Sequence, residues 1–516
     1  MRTSSLVHPR IWTEDDSPLA PEQRSGVLRE PLPQTAVCFS GGGTRSMVAT
    51  IGQLRALVAL GALDQIGYLS SVSGSAWAAV PFLYAGDGRD RLGRVTPPDV
   101  LTLDHLNRIA PGSLLEPVTT SFRDRFLALD GDPAVPPDQV WCRAVGETFL
   151  APHGLYDADR PVPFGPALGS LRSPLDPVDS PEASFACHRP ARAHPFPVVH
   201  ATLNWPEGRP DGHHLLPFEH TPLYVGAPRR RDLSVRSGAV RTVGGTYLEP
   251  HGVNGEPAGF PERADGRVDL VPAARPFTLA DMIGASSALY TPEREPAGYP
   301  HARYRTVPAP EVGPDTMNDL FTDGGDVDTH ALLGILRRRV PTIVIFLNTL
   351  WPLDPDYDHE DWPEAGQIDP ALAPLFGQPS AQWARNHVFP REAFREIVAS
   401  WQRAQRRGRP LVASARIPVL SNSFWGITGG WEASVCWIYN GRAADWESRL
   451  PSPVQRILAA ADGESLAARF PHYLTIGQNP GALTRLTALQ AQLLAELAGW
   501  GVLESAQAVR DLLAVR

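Results

Sequence analysis

Two small-residue turns, close together in the chain, restrict this protein more than any other feature. Residues 35–80 read TAVCFS-GGGTRS, then a helical run, then IGYLSSVSGSAW. Each turn ends an apolar strand and opens a helix. A right-handed β-α-β unit sets the carboxyl ends of its two parallel strands side by side, so the turns are predicted to be neighbours. The first, Gly41-Gly42-Gly43-Thr44-Arg45, offers bare backbone N–H groups at a helix start, where an anion is stabilised. The second puts Ser73 at a sharp strand-to-helix corner, the setting of an exposed serine nucleophile. Side by side, they pair an oxyanion-binding turn with a nucleophile.

The rest of the pattern extends this unit into an α/β fold. We expect a three-layer sandwich: a mostly parallel central sheet with helices on both faces and cap-like insertions. Strands are predicted at 35–40, 66–72, 196–204 and 341–350, with another at 435–439. A helix at 44–60 carries Met47, Ile51, Leu54 and Leu57 on one stripe, and Gly61 is placed to end it. Residues 1–33 read as a lead-in. The main domain spans 34–480, with insertions at about 84–194 and 227–270. Residues 481–516 read as two amphipathic helices packed on the domain and broken at Gly499-Trp500-Gly501. With 516 residues, 43% of them hydrophobic, the chain has ample material for such a core.

Composition removes several functions. A net charge of −9 leaves no general nucleic-acid footprint. The basic residues, all arginine, form local clusters such as Arg229-Arg230-Arg231 and Arg337-Arg338-Arg339, which read as solvated faces or helix ends. Cysteines 38, 142, 187 and 436 lack metal or redox spacing and fit a reduced, cytoplasmic setting. The apolar run at 340–350 is far short of the ~20 residues that span a bilayer, so any membrane contact is expected to be peripheral. The Gly41-x-Gly43-x-x-Ser46 spacing nears a dinucleotide fingerprint, but no acidic residue closes the second strand to hold a ribose. Asp354-x-Asp356-x-Asp358 has His359 and Ala365 where a calcium loop needs Gly and Glu. No cofactor or metal is expected.

Ser73 sits in Ser71-Val72-Ser73-Gly74-Ser75, an elbow in which small serines stand where GxSxG has glycines. A rival, Ser286 in Gly284-Ala285-Ser286-Ser287-Ala288, has no strand before it and reads as helix packing. Asp323, in Phe321-Thr322-Asp323-Gly324-Gly325, is a carboxylate whose two following glycines permit close approach to a crowded site. His330 offers a triad member, although only seven residues separate it from Asp323.

Together, the GGGxR turn, the x-x-S-G-S elbow and the DGG segment resemble the patatin-like and cytosolic phospholipase A / fungal phospholipase B superfamily. Phe218-Glu219-His220-Thr221-Pro222 with Val225-Gly226 is similar to the FEFTP…G segment of the second branch. Asp323-Gly324-Gly325-Asp326 resembles its DGGE. The resemblance spans about 35–350, and FPHYLTIGQN at 470–479 is similar to bacterial relatives. It implies a patatin-like fold and acyl-ester hydrolysis of phospholipids or lysophospholipids through an acyl-enzyme. It further implies a Ser73–Asp323 dyad without histidine, an oxyanion site at Gly41, Gly42 and Gly43, and Arg45 assisting there or binding phosphate. The expected setting is cytoplasmic, with peripheral contact at the membrane. Three departures stand out. Ser71 replaces the family's first elbow glycine. Thr329-His330-Ala331 stands where relatives often carry Asn-x-Pro. The N-terminal lead-in is expected to leave no room for the calcium-dependent membrane-targeting domain of relatives. Acyl transfer from the same acyl-enzyme and non-catalytic lipid binding are the alternatives.

Overall fold

The computed structural model describes residues 6–14, 19–24, 28, 32–166, 187–192, 194–205, 214–234, 240–258, 266–288, 301–302, 319–460, 469–475 and 485–513. Its centre is a 12-stranded sheet. In chain order the strands are β1 (Ile11–Thr13), β2 (Thr35–Phe39), β3 (Tyr68–Val72), β4 (Phe196–Trp205), β5 (His214–His220), β6 (Val225–Ala227), β7 (Thr246–Leu248), β8 (His301–Ala302), β9 (Asp319–Thr322), β10 (Thr342–Leu347), β11 (Leu411–Val419) and β12 (Trp431–Tyr439). Their order across the sheet is β1-β7-β6-β5-β4-β3-β2-β10-β12-β11, with β9 paired to β4 and β8 to β9. The expected parallel arrangement forms the middle, from β4 through β3, β2 and β10 to β12. Both flanks are antiparallel.

The middle strands are buried on both faces, and their side chains alternate between two cores. Val37 and Phe39 of β2 join one core, while Ala36 and Cys38 join the other. Val344 and Phe346 of β10 split likewise from Ile343, Ile345 and Leu347. That period of two, with no polar face, is what a sheet covered on both sides demands.

The helices used below are α1 (Gly43–Ala59), α2 (Gly74–Tyr84), α3 (Leu279–Ser286), α4 (Arg391–Arg406), α5 (Ala488–Glu504) and α6 (Ala506–Leu513). At the end of α1, Gly61 has φ 66° and donates to Val58 O, while Ala62 donates to Leu57 O. That left-handed turn satisfies the last carbonyls of α1, as its glycine predicted. Helix α2 is held on its outer side by the first insertion. Trp77 stacks on Phe149 at a centroid distance of 4.4 Å, and Phe122 packs on both. Such pairs contribute about 0.5–1.5 kcal/mol beyond their buried area.

One expectation is corrected. The C-terminal helices do not break at Gly499-Trp500-Gly501, because α5 runs through all three residues and ends at Glu504. The glycines serve a helix crossing instead. A Cβ on Gly52 of α1 would lie 2.0 Å from Ala495 O. One on Gly499 would lie 2.6 Å from Val95 and 2.9 Å from Gly52 O. Glycine costs about 1 kcal/mol in a helix interior, and here the close crossing offsets it. A buried Arg55–Glu496 ion pair at 3.1 Å fastens the same crossing.

Candidate active site

Strand β3 ends at Val72, and the chain turns at Ser73 into α2. Ser73 has φ 56° and ψ −130°, a conformation a side chain rarely adopts. Three contacts hold it. The Ser73 N–H donates to Ser286 Oγ at 2.9 Å, and Ser286 Oγ donates in turn to His200 O at 2.6 Å. Ser75 Oγ donates to Phe39 O and Val72 O and accepts the Val72 N–H, tying β3 to β2. The third contact is a close approach: a Cβ on Gly74 would lie 1.9 Å from Gly43 O. The glycine this elbow requires is therefore the one after the serine, and it presses the two turns together. Ser286, the sequence rival, is a support for the corner.

In the first turn, Gly42 and Gly43 have φ of 139° and 60°, which a β-carbon would strain. The Gly41 N–H is occupied by Thr329 O at 2.8 Å. The N–H groups of Gly42 and Gly43 have no acceptor among the described residues. Gly41 lies so near the corner that a Cβ there would be 3.2 Å from Ser73 Cβ.

Arg45 lies beneath this turn, fully buried. Its Nε donates to Asn348 O at 3.0 Å and its Nη1 to Tyr473 O at 2.7 Å. Thr475 Oγ1 donates to Gly42 O at 2.9 Å and accepts the Arg45 N–H at 3.1 Å. Desolvation pushes the guanidinium down to about 10, against the pull of Asp369 and Tyr439. Arg45 thus braces the turn, its hydrogen bonds going to Asn348, Tyr473 and Thr475. Asn348 and Thr475 carried no signal in the sequence beyond their place in apolar or family-like segments.

Asp323 reaches Ser73 through strand register. Val72 of β3 pairs with His200 of β4, and Thr322 of β9 pairs with Thr202 from the opposite direction. Continuing each register by one residue brings Ser73 and Asp323 to the same level of β4. Ser73 Oγ donates to Asp323 Oδ2 at 2.6 Å. Asp323 Oδ1 accepts the Gly325 N–H at 2.8 Å, and its carbonyl accepts Thr202 Oγ1. A Cβ on Gly324 would lie 2.5 Å from His200 O, so the glycine after the acid is what permits this approach. Burial raises Asp323 from 3.8 to about 6, opposed by the Ser73 and Gly325 hydrogen bonds. Asp326, one turn on, is raised to about 7 by burial and by Asp323.

No histidine completes a triad among the described residues. His330 Nε2 points to Asp369 at 3.9 Å without a hydrogen-bond partner. His200 Nε2 meets Ser70 Oγ at 2.8 Å.

A parallel-centred sheet, a strained serine corner, an adjoining glycine turn and a carboxylate on the serine define an α/β protein of the patatin-like class. No family model matches the chain. Within the class, short stretches of the chain are similar to cytosolic phospholipases A2. The chain is 38% identical to cytosolic phospholipase A2 gamma of Mus musculus over 98 residues, 17% of this chain and 16% of that protein. It is 52% identical to cytosolic phospholipase A2 zeta of Mus musculus over 48 residues, 9% and 6% of the two chains. These matches span a small fraction of the relatives' length. Human GIVD cytosolic phospholipase A2 shares the fold, with a TM-score of 0.50 at 16% identity, covering 94% of this chain and 61% of that one. Among the described residues, no helix is long and apolar enough to cross a membrane.

Proposed function

We propose that the protein hydrolyses acyl esters of lipids, of the phospholipase A or lysophospholipase type, with Ser73 as nucleophile and Asp323 as base. The observation that carries this reading is the 2.6 Å Ser73 Oγ–Asp323 Oδ2 hydrogen bond at a strained corner beside two unused N–H groups. The local likeness to cytosolic phospholipases A2 supports the substrate class.

In this reading, Ser73 Oγ attacks the ester carbonyl as its proton passes to Asp323 Oδ2. The oxyanion is held by the Gly42 and Gly43 N–H groups. One such donor is worth about 10²–10³ in turnover. Collapse of the tetrahedral species breaks the ester C–O bond, and the leaving alcohol takes the proton from Asp323. Water then attacks the acyl-enzyme, giving its proton to Asp323, and Ser73 is regenerated with release of the acid. The proton acceptor is suited to this work because it is buried, raised to about 6 and thus still ionised at pH 7. Arg45 assists by keeping the glycine turn in its left-handed shape. With two of its nitrogens already engaged by carbonyls, the guanidinium is assigned to the scaffold and not to a headgroup phosphate.

A long-chain alkyl fluorophosphonate tests this directly. It should label the protein at Ser73 and fail to label Ser73→Ala. Labelling that persists in the variant, or maps to Ser286, sinks the assignment. Product analysis with a phospholipid and an added alcohol separates free acid from a transferred acyl ester.

A further inference from the structure

A cavity of about 720 Å³ opens at the carboxyl end of the sheet and shares no lining residue with the Ser73 site. Its size falls in the ~300–1,000 Å³ range of small-molecule sites. The walls are apolar, built by Trp351, Leu353, Leu411 and Phe470. Trp351, 36% exposed, is the only exposed large aromatic among the described residues. Two arginines reach the cavity, and their charges differ in availability. Arg442 is closed by a two-point pair with Glu447, at 2.8 and 2.5 Å. Arg469 has no hydrogen-bond or ion-pair partner among the described residues. His472 is held neutral near pH 7, because burial lowers it to about 4. Its Nδ1 meets Thr349 O at 3.0 Å. Among the described residues, the cavity thus offers an apolar chamber with one free guanidinium and no competing carboxylate save the one already paired.

We propose that this cavity binds a single-chain carboxylate amphiphile, a fatty-acid monoanion, with its chain against Trp351, Leu353, Leu411 and Phe470 and its headgroup on Arg469. A planar carboxylate matches one guanidinium by two parallel N–H···O bonds. A single unpaired cation matches a monoanion better than a dianionic phosphate. The site lies against the scaffold of the glycine turn. Its walls include the residues that follow Asn348 and precede Tyr473, the two carbonyl partners of Arg45.

Calorimetric titration of Ser73→Ala protein with laurate, below its micelle concentration, tests the site without requiring turnover. Its outcome is therefore separable from that of the Ser73–Asp323 reading. One molar equivalent of laurate should bind, and dodecanol should bind about 10-fold or more weakly, the scale of a lost charge-assisted hydrogen bond. Arg469→Gln should weaken laurate by the same factor. Ala444→Trp, an exposed position on the cavity wall, should block it, with melting curves confirming that both variants fold. Laurate binding that survives both substitutions overturns the site. Equal affinity for laurate and dodecanol, or tighter binding of dodecyl phosphate, overturns the carboxylate assignment.

Discussion

Two buried carboxylates in this molecule have opposite surroundings. Glu219 on β5 accepts from Arg337 Nη2 at 2.7 Å and from Arg338 Nη1 and Nη2 at 3.0 and 2.9 Å. Arg338 also pairs with Glu22 at 2.7 Å, which draws the N-terminal segment onto the sheet. Burial alone would raise Glu219, but Arg337 and Arg338 overcome it and hold the carboxyl well below its ordinary range. Asp323 accepts only from a hydroxyl and a backbone N–H, and burial raises it. Burial thus accompanies a permanent anion in one place and a carboxyl raised towards neutrality in the other, the difference being two guanidinium groups. The comparison also sorts the family-like motifs. FEHTP at 218–222 supplies an anchor, whereas DGG at 323–325 carries the carboxylate that accepts from Ser73, the proposed base.

The largest effect expected is on chemistry. Ser73→Ala and Asp323→Asn should each lower kcat on a soluble short-chain ester by about 10³-fold or more, since such residues act as a unit. Asp323→Asn should keep or raise its melting temperature, because it removes a buried charge that no cation offsets. An Asp323→Asn protein that retains activity would break the contrast with Glu219.

Glu219→Gln should do the reverse. It leaves two buried arginines short of an anion, and breaking a buried pair costs about 3–5 kcal/mol. Denaturant unfolding should record that loss, while kcat per folded molecule stays near wild type. A collapse of kcat in a stable Glu219→Gln protein would place Glu219 in the chemistry. Next in size is Gly42→Val, expected to cut turnover about 10²-fold, the cost of misplacing an oxyanion donor. Its φ of 139° and the 2.4 Å from an added Cβ to Arg45 Nη2 make the turn unable to take a side chain unmoved.

The pH profile sharpens the same contrast. Asp323 must be ionised to accept the Ser73 proton, so kcat/KM should rise through an apparent value of about 6. For stability the signs oppose. Between its ordinary 3.8 and about 6, native Asp323 keeps a proton the unfolded chain has lost, so it disfavours folding as pH rises through that window. Glu219, held low, contributes stability above its ordinary 4.5 that is lost as pH falls below it. Comparing wild-type and Asp323→Asn unfolding from pH 4 to 7 isolates the first term. A flat difference across that range would remove the raised value.

How much of this was legible in the sequence follows from how local each cause is. The serine corner and glycine turn are set by a few adjacent residues with special backbone needs, so spacing alone displays them. Asp323 was legible through its two following glycines and its family-like segment. Its partnership with Ser73 depends on β9 entering β4 from the opposite direction, more than 100 residues after β4 begins. Ser286 read as helix packing because no periodicity shows that a helix-end hydroxyl meets the Ser73 N–H. Gly499 and Gly501 read as a break because propensity is local, while the crossing with Gly52 that makes Gly499 useful is tertiary.

The smallest effect should come from His330→Ala, and that smallness separates a dyad from a triad. In a triad the imidazole bonds the serine and takes its proton, and its loss costs as much as the loss of the serine. Here the His330 backbone N–H donates to Asp328 Oδ1, and the ring Nε2 lies 3.9 Å from Asp369. The acceptor at Ser73 is already Asp323 Oδ2. Removing the ring opens a small void in a buried site and should cost about 1 kcal/mol. On the scale of a protein this large that lowers the melting temperature by about 1 °C. Activity per folded molecule should stay within about threefold, less than 1 kcal/mol of barrier. The pH midpoint should stay near 6, because Asp323 sets it. A His330→Ala protein that folds, loses activity about 10³-fold and shifts that midpoint would put the proton on imidazole and return the chemistry to a triad.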